Sequence, residues 1–252
     1  MDKIFPPMYS KPEKRHIIAL IPCFFWVFVL IPMYMPYLFA GLWEQGEISV
    51  WIDIIYHVVN GILMLLILRS YLSDEWFMFT TDVRFYIKHI ALTVGIIMVT
   101  VFLIIGILYF YYYDISHILQ AIPIVEMFVS HTPLAVLGQA PIFGTLAISL
   151  FTPISICALF FCIGFAPICN RKPWLAYLCV AVISFFPALI NILWRNETSL
   201  ALNGYILQLP VHLIACWSYQ KTDNVFTPMI SLAVVNLLLS VIFIFVVIPM
   251  IS

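Results

Sequence analysis

Charge is what this chain lacks most. Only 9% of its 252 residues are Asp, Glu, Lys or Arg, against about 25% in an ordinary soluble domain. The net charge of −1 offers no basic face for nucleic acid. Internal repeats and low-complexity tracts are absent, and so are the GxSxG, HExxH and P-loop patterns of common hydrolases and nucleotide-binding proteins. The six cysteines (Cys23, Cys157, Cys162, Cys169, Cys179 and Cys216) form no CxxC pair. They read as small apolar packing residues, with neither a zinc site nor a structural disulfide expected. No cofactor or metal is implied. A cleavable leader is not expected either: residues 1–15 lean polar, the first apolar stretch is too long for a signal core, and no small-residue cleavage site follows it.

What is present is hydrophobicity in long runs. Hydrophobic residues make up 64% of the chain and the mean hydropathy is +1.10. Seven stretches, roughly His16–Leu42, Trp51–Leu68, His89–Tyr113, Pro141–Phe165, Trp174–Trp194, Leu200–Tyr219 and Pro228–Ile251, are each about 20 residues long, enough to cross a ~30 Å hydrocarbon core as a helix. Hydrocarbon cannot satisfy backbone N–H and C=O groups, so such spans bond internally as helices. Lys3, Lys11, Lys14, Arg15, Arg69, Arg84, Lys88, Arg171, Lys172 and Lys221 fall at alternate junctions, and Arg195 alone falls on the other side. Retention of positive charge in the cytoplasm then places the N-terminus inside and the C-terminus outside. The expected fold is an all-α polytopic transmembrane helix bundle of about seven spans, eight if 114–139 inserts fully. It forms a single integral membrane domain over 1–252: N-terminal helices over 1–140, an external segment at 114–139, and a compact C-terminal sub-bundle over 141–251.

The connections differ in character. Glu44–Val50 reads as a short acidic external loop, and Arg69–Lys88, with Asp74, Glu75, Trp76 and Phe77, as an interfacial cytoplasmic segment. Asp114–Gln139 carries Asp114, His117, Glu126 and His131 with Pro123 and Pro133 as breaks, suited to an external amphipathic or re-entrant segment. Cys169–Pro173, Arg195–Ser199 and Gln220–Thr227 are tight and force antiparallel neighbours.

Polar residues inside spans face the bundle interior, because lipid exposure is costly. Asp53, His57 and Asn60 recur at i, i+4 and i+7 on one helix face, either as a proton-relay or metal-ligand cluster or as a self-satisfied interfacial pair. Asn203, Gln208 and His212 run down the sixth span beside Pro210. His212 suits either a functional role or a neutral imidazole bonded to a carbonyl that Pro210 frees. Asn191 and Asn236 read as amides that join helices. None of the seven stretches contains a glutamate, which removes the residue an intramembrane metalloprotease would use to activate water.

The segment Tyr219-Gln-Lys-Thr222-Asp223-Asn224-Val225-Phe-Thr-Pro228-Met-Ile resembles the cytoplasmic turn Tyr-x-x-Thr-Gly-Ser-Leu-x-x-Pro-Ile of the CAAX-protease and bacteriocin-processing family of membrane proteins. In that family a His follows four residues after the Pro, and an Asn or Asp four later; here these are Leu232 and Asn236. Leu150-Phe-Thr-Pro153-Ile-Ser-Ile156-Cys157-Ala-Leu-Phe160-Phe161 is similar to the family's Ala-Pro-Ile-x-Glu-Glu-x-x-Phe-Arg. Ile156 and Cys157 stand for the glutamates and Phe161 for the arginine. Phe186-Pro-Ala-Leu-Ile190 fits its Phe-x-x-x-His, with Ile190 for the His. The likeness covers about 141–240. It implies a family fold stripped of its chemistry, with no catalytic residue.

The function expected is that of a noncatalytic, pseudoprotease-like protein. It would bind and stabilise or regulate a membrane protein or membrane-tethered peptide, related to bacteriocin immunity or the envelope, in a bacterial plasma membrane. A small transporter or channel component using Asp53, His57 and His212 is the first alternative. A cryptic peptidase using Cys157, His212 and Asn236 is the second. The partners implied are the lipid bilayer and that protein or peptide.

Overall fold

A computed structural model describes residues 12–27, 46–112, 140–195 and 198–247. Among the described residues every regular element is helical and no strand is present, as the scarcity of backbone partners in hydrocarbon requires. Helix α1 covers Lys14–Phe25, α2 Gly46–Ile67, α3 Arg69–Thr81 and α4 Val83–Tyr112. A composite helix, α5, covers Pro141–Phe165; α6 is Pro173–Arg195, α7 Thr198–Thr222 and α8 Phe226–Ile242. Four helices contain segments long and apolar enough to cross a membrane: Val50–Ile67, Val83–Phe110, Pro141–Phe165 and Phe226–Phe245.

Two expected loops are helical. Gly46–Val50, read from sequence as part of an acidic loop, is the first turn of α2. The stretch read as an interfacial segment is α3 followed at once by the start of α4. Both corrections have one cause: short polar or aromatic-rich stretches break an apolar run without breaking a helix. The expected external segment at 114–139 lies outside the described residues.

α5 is the central element. Of its span, 72% is buried, against 17% for Val83–Phe110 of α4. It is also irregular. Pro141 opens it at the first turn, where a missing N–H costs nothing. Ala147–Phe151 and Cys157–Phe165 are then wound as π-helix around a short α-helical piece, Thr152–Ile156. Helices α2 and α8 pack on the first π segment, while α1 and α6 pack on the second. α6 and α7 form the most extensive pair, and α4 lies along both α7 and α8. Side-chain bonds hold the pairs: the Tyr205 hydroxyl donates to Ala181 O at 3.1 Å, the Tyr177 hydroxyl to Gln220 Oε1 at 2.9 Å, and the Tyr56 hydroxyl to Val27 O at 3.1 Å.

Close approach is enforced by glycine at two points. A methyl group on Gly61 of α2 would lie 2.6 Å from Phe151 Cδ1, and one on Gly164 of α5 would lie 2.7 Å from Ile183 Cδ1.

Candidate functional site

The buried carboxyl of the described molecule is Glu75, which is 0% exposed. Tyr71, Glu75 and Phe79 recur every fourth residue and form the buried stripe of α3. That stripe docks on the turn between α7 and α8. Glu75 Oε2 accepts the Val225 N–H at 2.8 Å, and the Asn224 side-chain amide donates to Glu75 O at 2.8 Å. Asn224 Oδ1 in turn accepts the Phe226 N–H at 2.9 Å. The opening N–H groups of a helix have no intrahelical acceptor, so two side chains serve the start of α8. An acidic group is favoured at that end of a helix. Asp223 closes α7 with φ 50, the left-handed conformation of a helix C-terminal cap. Its N–H donates to Tyr219 O at 2.7 Å. The Thr222 hydroxyl bonds back to Ser218 O at 2.8 Å, and the Ser218 hydroxyl meets that of Thr93 on α4 at 2.9 Å.

Aromatic rings cover this cluster. Phe79 stacks on Trp76 and on Tyr86, and Phe226 sits edge-on to Trp76. Burial, and then the neighbouring Tyr219, Cys162 and Glu75, push the Tyr71 hydroxyl well above its ordinary value. Sequence reading placed Glu75 in an interfacial segment and missed this role. The signal was present as a carboxyl in the middle of a 71/75/79 stripe whose other members are aromatic.

The positions aligned with that family's motifs pack the interior. Ile156, Cys157, Phe161 and Leu232 are all buried in one continuous apolar cluster with Phe160, Cys162 and Phe165. The side chain of Ile190 lies outside the described ones. Asn236 has a defined task. In the π segment the Thr152 N–H bonds to Ala147 O, five residues back, so the next link would run from residue 153 to Ile148 O. Residue 153 is a proline and has no N–H. Asn236 Nδ2 of α8 donates to Ile148 O instead, at 3.2 Å. An interhelical amide thus replaces the backbone donor that Pro153 removes.

Of the remaining polar candidates, His212 lies on α7, and His57 and Asn60 lie on α2. His212 on α7 meets the Ser184 hydroxyl of α6 at 2.8 Å and lies against the Phe160 ring of α5, with centroids 4.7 Å apart. Besides the carbonyl expected on its own helix, His212 thus has a hydroxyl partner on the neighbouring helix. His57 and Asn60 are buried on α2, His57 beside the Tyr56 ring. The side chain of Asp53 lies outside the described ones, as do those of Asn191 and Asn203. Asn60 Nδ2, Ser149 Oγ and Ser240 Oγ are buried without a hydrogen-bond partner among the described residues. No group of three or more His, Cys, Asp or Glu among the described residues is placed to hold a metal ion. Cys157, Cys162, Cys169 and Cys216 are buried thiols outside any disulfide, and the Cys169 thiol donates to Ala166 O at 3.5 Å.

Comparison with known proteins finds no match among protein-family models, curated proteins or solved structures.

Proposed function

We propose that this chain is a noncatalytic membrane bundle, stripped of the chemistry of the CAAX-protease and bacteriocin-processing family, that binds and stabilises or regulates a membrane protein or membrane-tethered peptide. The observation that carries the reading is the filled interior. At the positions matching the family's glutamates, arginine and one histidine stand Ile156, Cys157, Phe161 and Leu232, all within the apolar cluster. No group there can polarise a water. The family turn gives separate support. Its glycine matches Asp223, and that residue adopts φ 50, a conformation for which glycine is the usual choice. Its Thr matches Thr222, bonded within the turn, and its Ser matches Asn224, which serves the start of α8.

With the interior closed, binding falls to the helix faces. On α2, Trp51, Ile55, Val59, Ile62 and Leu66 form an exposed apolar ridge; on α3, Trp76 and Phe77 project outward. Seven spans, a cytoplasmic N-terminus and a bacterial plasma membrane complete the proposal. The contacts of Glu75 with Val225 and of Tyr177 with Gln220 gather the α3, α6 and α7 termini bearing Arg69, Arg171, Lys172 and Lys221 at one end of the bundle. The positive-inside rule assigns that end to the cytoplasm.

The test is purification from native membranes under mild detergent, with mass spectrometry of stoichiometric companions and a thermal-stability assay of the captured pair. A companion present in equal amount and raising the midpoint of unfolding is the expected result. A lone protein that cleaves membrane-tethered peptides, with cleavage lost in Cys157→Ala or His212→Ala, would overturn the reading.

A further inference from the structure

At the end of the bundle that gathers the cations, α1 meets the α2–α3 junction around an open groove of about 660 Å³. Arg15 and Arg69 flank it, His16, Ser70 and Ser73 supply polar groups, and Ala19, Leu66 and Ile67 supply an apolar wall. The walls are tied together. His16 Nδ1 accepts the Glu13 N–H at 3.2 Å, which leaves Nε2 as the ring's donor toward Ser70 Oγ at 3.0 Å. Ser70 therefore accepts from His16 and keeps its own proton for a further acceptor. Arg15 is paired with Glu13 at 2.7 Å, and both side chains are largely solvent-exposed, a setting in which an ion pair is weakly held and exchanges readily. Arg69 is exposed, and no other residue among the described ones pairs with it as an ion pair.

We propose that this groove binds the headgroup of an anionic phospholipid. Three observations favour a lipid over a soluble phosphate. The groove lies where the apolar segment Val50–Ile67 ends, at the depth of headgroups in a spanning helix. Leu66 and Ile67, the last residues of that segment, form part of its wall, so an acyl chain continues along α2 from a head held by the arginines. Guanidinium groups present paired donors that match phosphate oxygens, and the Ser70 hydroxyl, which lines the same groove, adds a further donor. The assignment is independent of the partner-binding reading.

The full chain is reconstituted in nanodiscs of phosphatidylcholine containing one-fifth phosphatidylglycerol, released into mild detergent, and its retained lipid is counted by native mass spectrometry. The ratio of phosphatidylglycerol to phosphatidylcholine in the retained lipid is expected to exceed that of the bilayer about thirtyfold, the scale set by two surface cations. The enrichment should vanish in the Arg15→Gln/Arg69→Gln double variant and persist in Arg84→Gln, a cation outside the groove. All three proteins are compared as monodisperse, equally helical samples; should the double variant fail that criterion, Ser70→Tyr, which fills the groove and keeps both charges, takes its place. Equal retention of the two lipids, or enrichment indifferent to the groove variants, would overturn the proposal. Full displacement of the lipid by millimolar inorganic phosphate would equally overturn it and mark the groove as a site for a soluble anion.

Discussion

Single side chains here stand in for missing or unpaired backbone groups, and their worth follows from that. Glu75 serves the Val225 N–H from a fully buried position. Glu75→Ala strands that donor and should cost about 2–3 kcal/mol, while Glu75→Gln, which keeps an acceptor oxygen, should cost less. Thermal unfolding in detergent checks the order; equal losses would show that charge, not hydrogen bonding, holds the turn. Asn236 and Pro153 form a linked pair. Asn236→Ala leaves Ile148 O without its donor and should cost about 1–2 kcal/mol. In a Pro153→Ala background residue 153 regains an N–H, so the same change should cost clearly less. Additive losses in this double-mutant cycle would reject the assignment. Tyr71 gives a pH dependence. Its folded-state pKa is raised above the unfolded value of 10.0, so its contribution is fully present below about pH 10 and is lost as pH rises toward the folded value. Tyr71→Phe should flatten the fall in stability above about pH 10 and leave the curve unchanged near neutrality.

At the scale of elements, the sequence was most readable where apolar runs were long and least readable where geometry depends on hydrogen-bond register. The run 141–165 announced a span, and the structure has one continuous helix there. That two parts of it wind as π-helix is not written in hydropathy, because the wide turn depends on which carbonyls neighbouring helices can serve. α3 escaped for another reason: its low hydropathy and many aromatics look interfacial, and burial of Glu75 needs a partner 150 positions away. Asn236 was legible as an amide joining helices, whereas its acceptor was not. Glycines separate the two kinds of information. Gly61→Ala should cost about 1–3 kcal/mol, since its methyl meets the Phe151 ring at 2.6 Å from a fixed backbone. Gly95→Ala meets nothing within 4 Å and should gain up to about 1 kcal/mol from helix propensity. Asp223→Gly should also stabilise, by about 0.5–1 kcal/mol, by relieving the left-handed residue. The same unfolding assay ranks all three.

For the whole molecule, the distribution of charge decides more than its amount. Among the described cations, Arg15 and Arg69 line one groove, and Lys221 lies near the turn that Glu75 holds. Arg171 and Lys172 precede α6, whose Tyr177 is bonded to Gln220 beside Lys221. A bundle with its positive groups on one end inserts with that end in the cytoplasm, because moving several cations through the bilayer is far costlier than moving one. Arg195 is the single cation assigned to the opposite side, so the bias has little to oppose it. Alkaline phosphatase fused after Lys172, after Asn196 or after Asp223 therefore has a definite expected pattern in a bacterial host. Only the fusion after Asn196 should be active, since the enzyme folds outside the cytoplasm. A fluorescent protein at the same three points should give the complementary pattern. Activity after Lys172 and Asp223 would invert the bundle and place the phospholipid groove on the outer face. Activity at all three points would remove α6 and α7 from the spanning set, leaving the four apolar segments as the spans among the described residues.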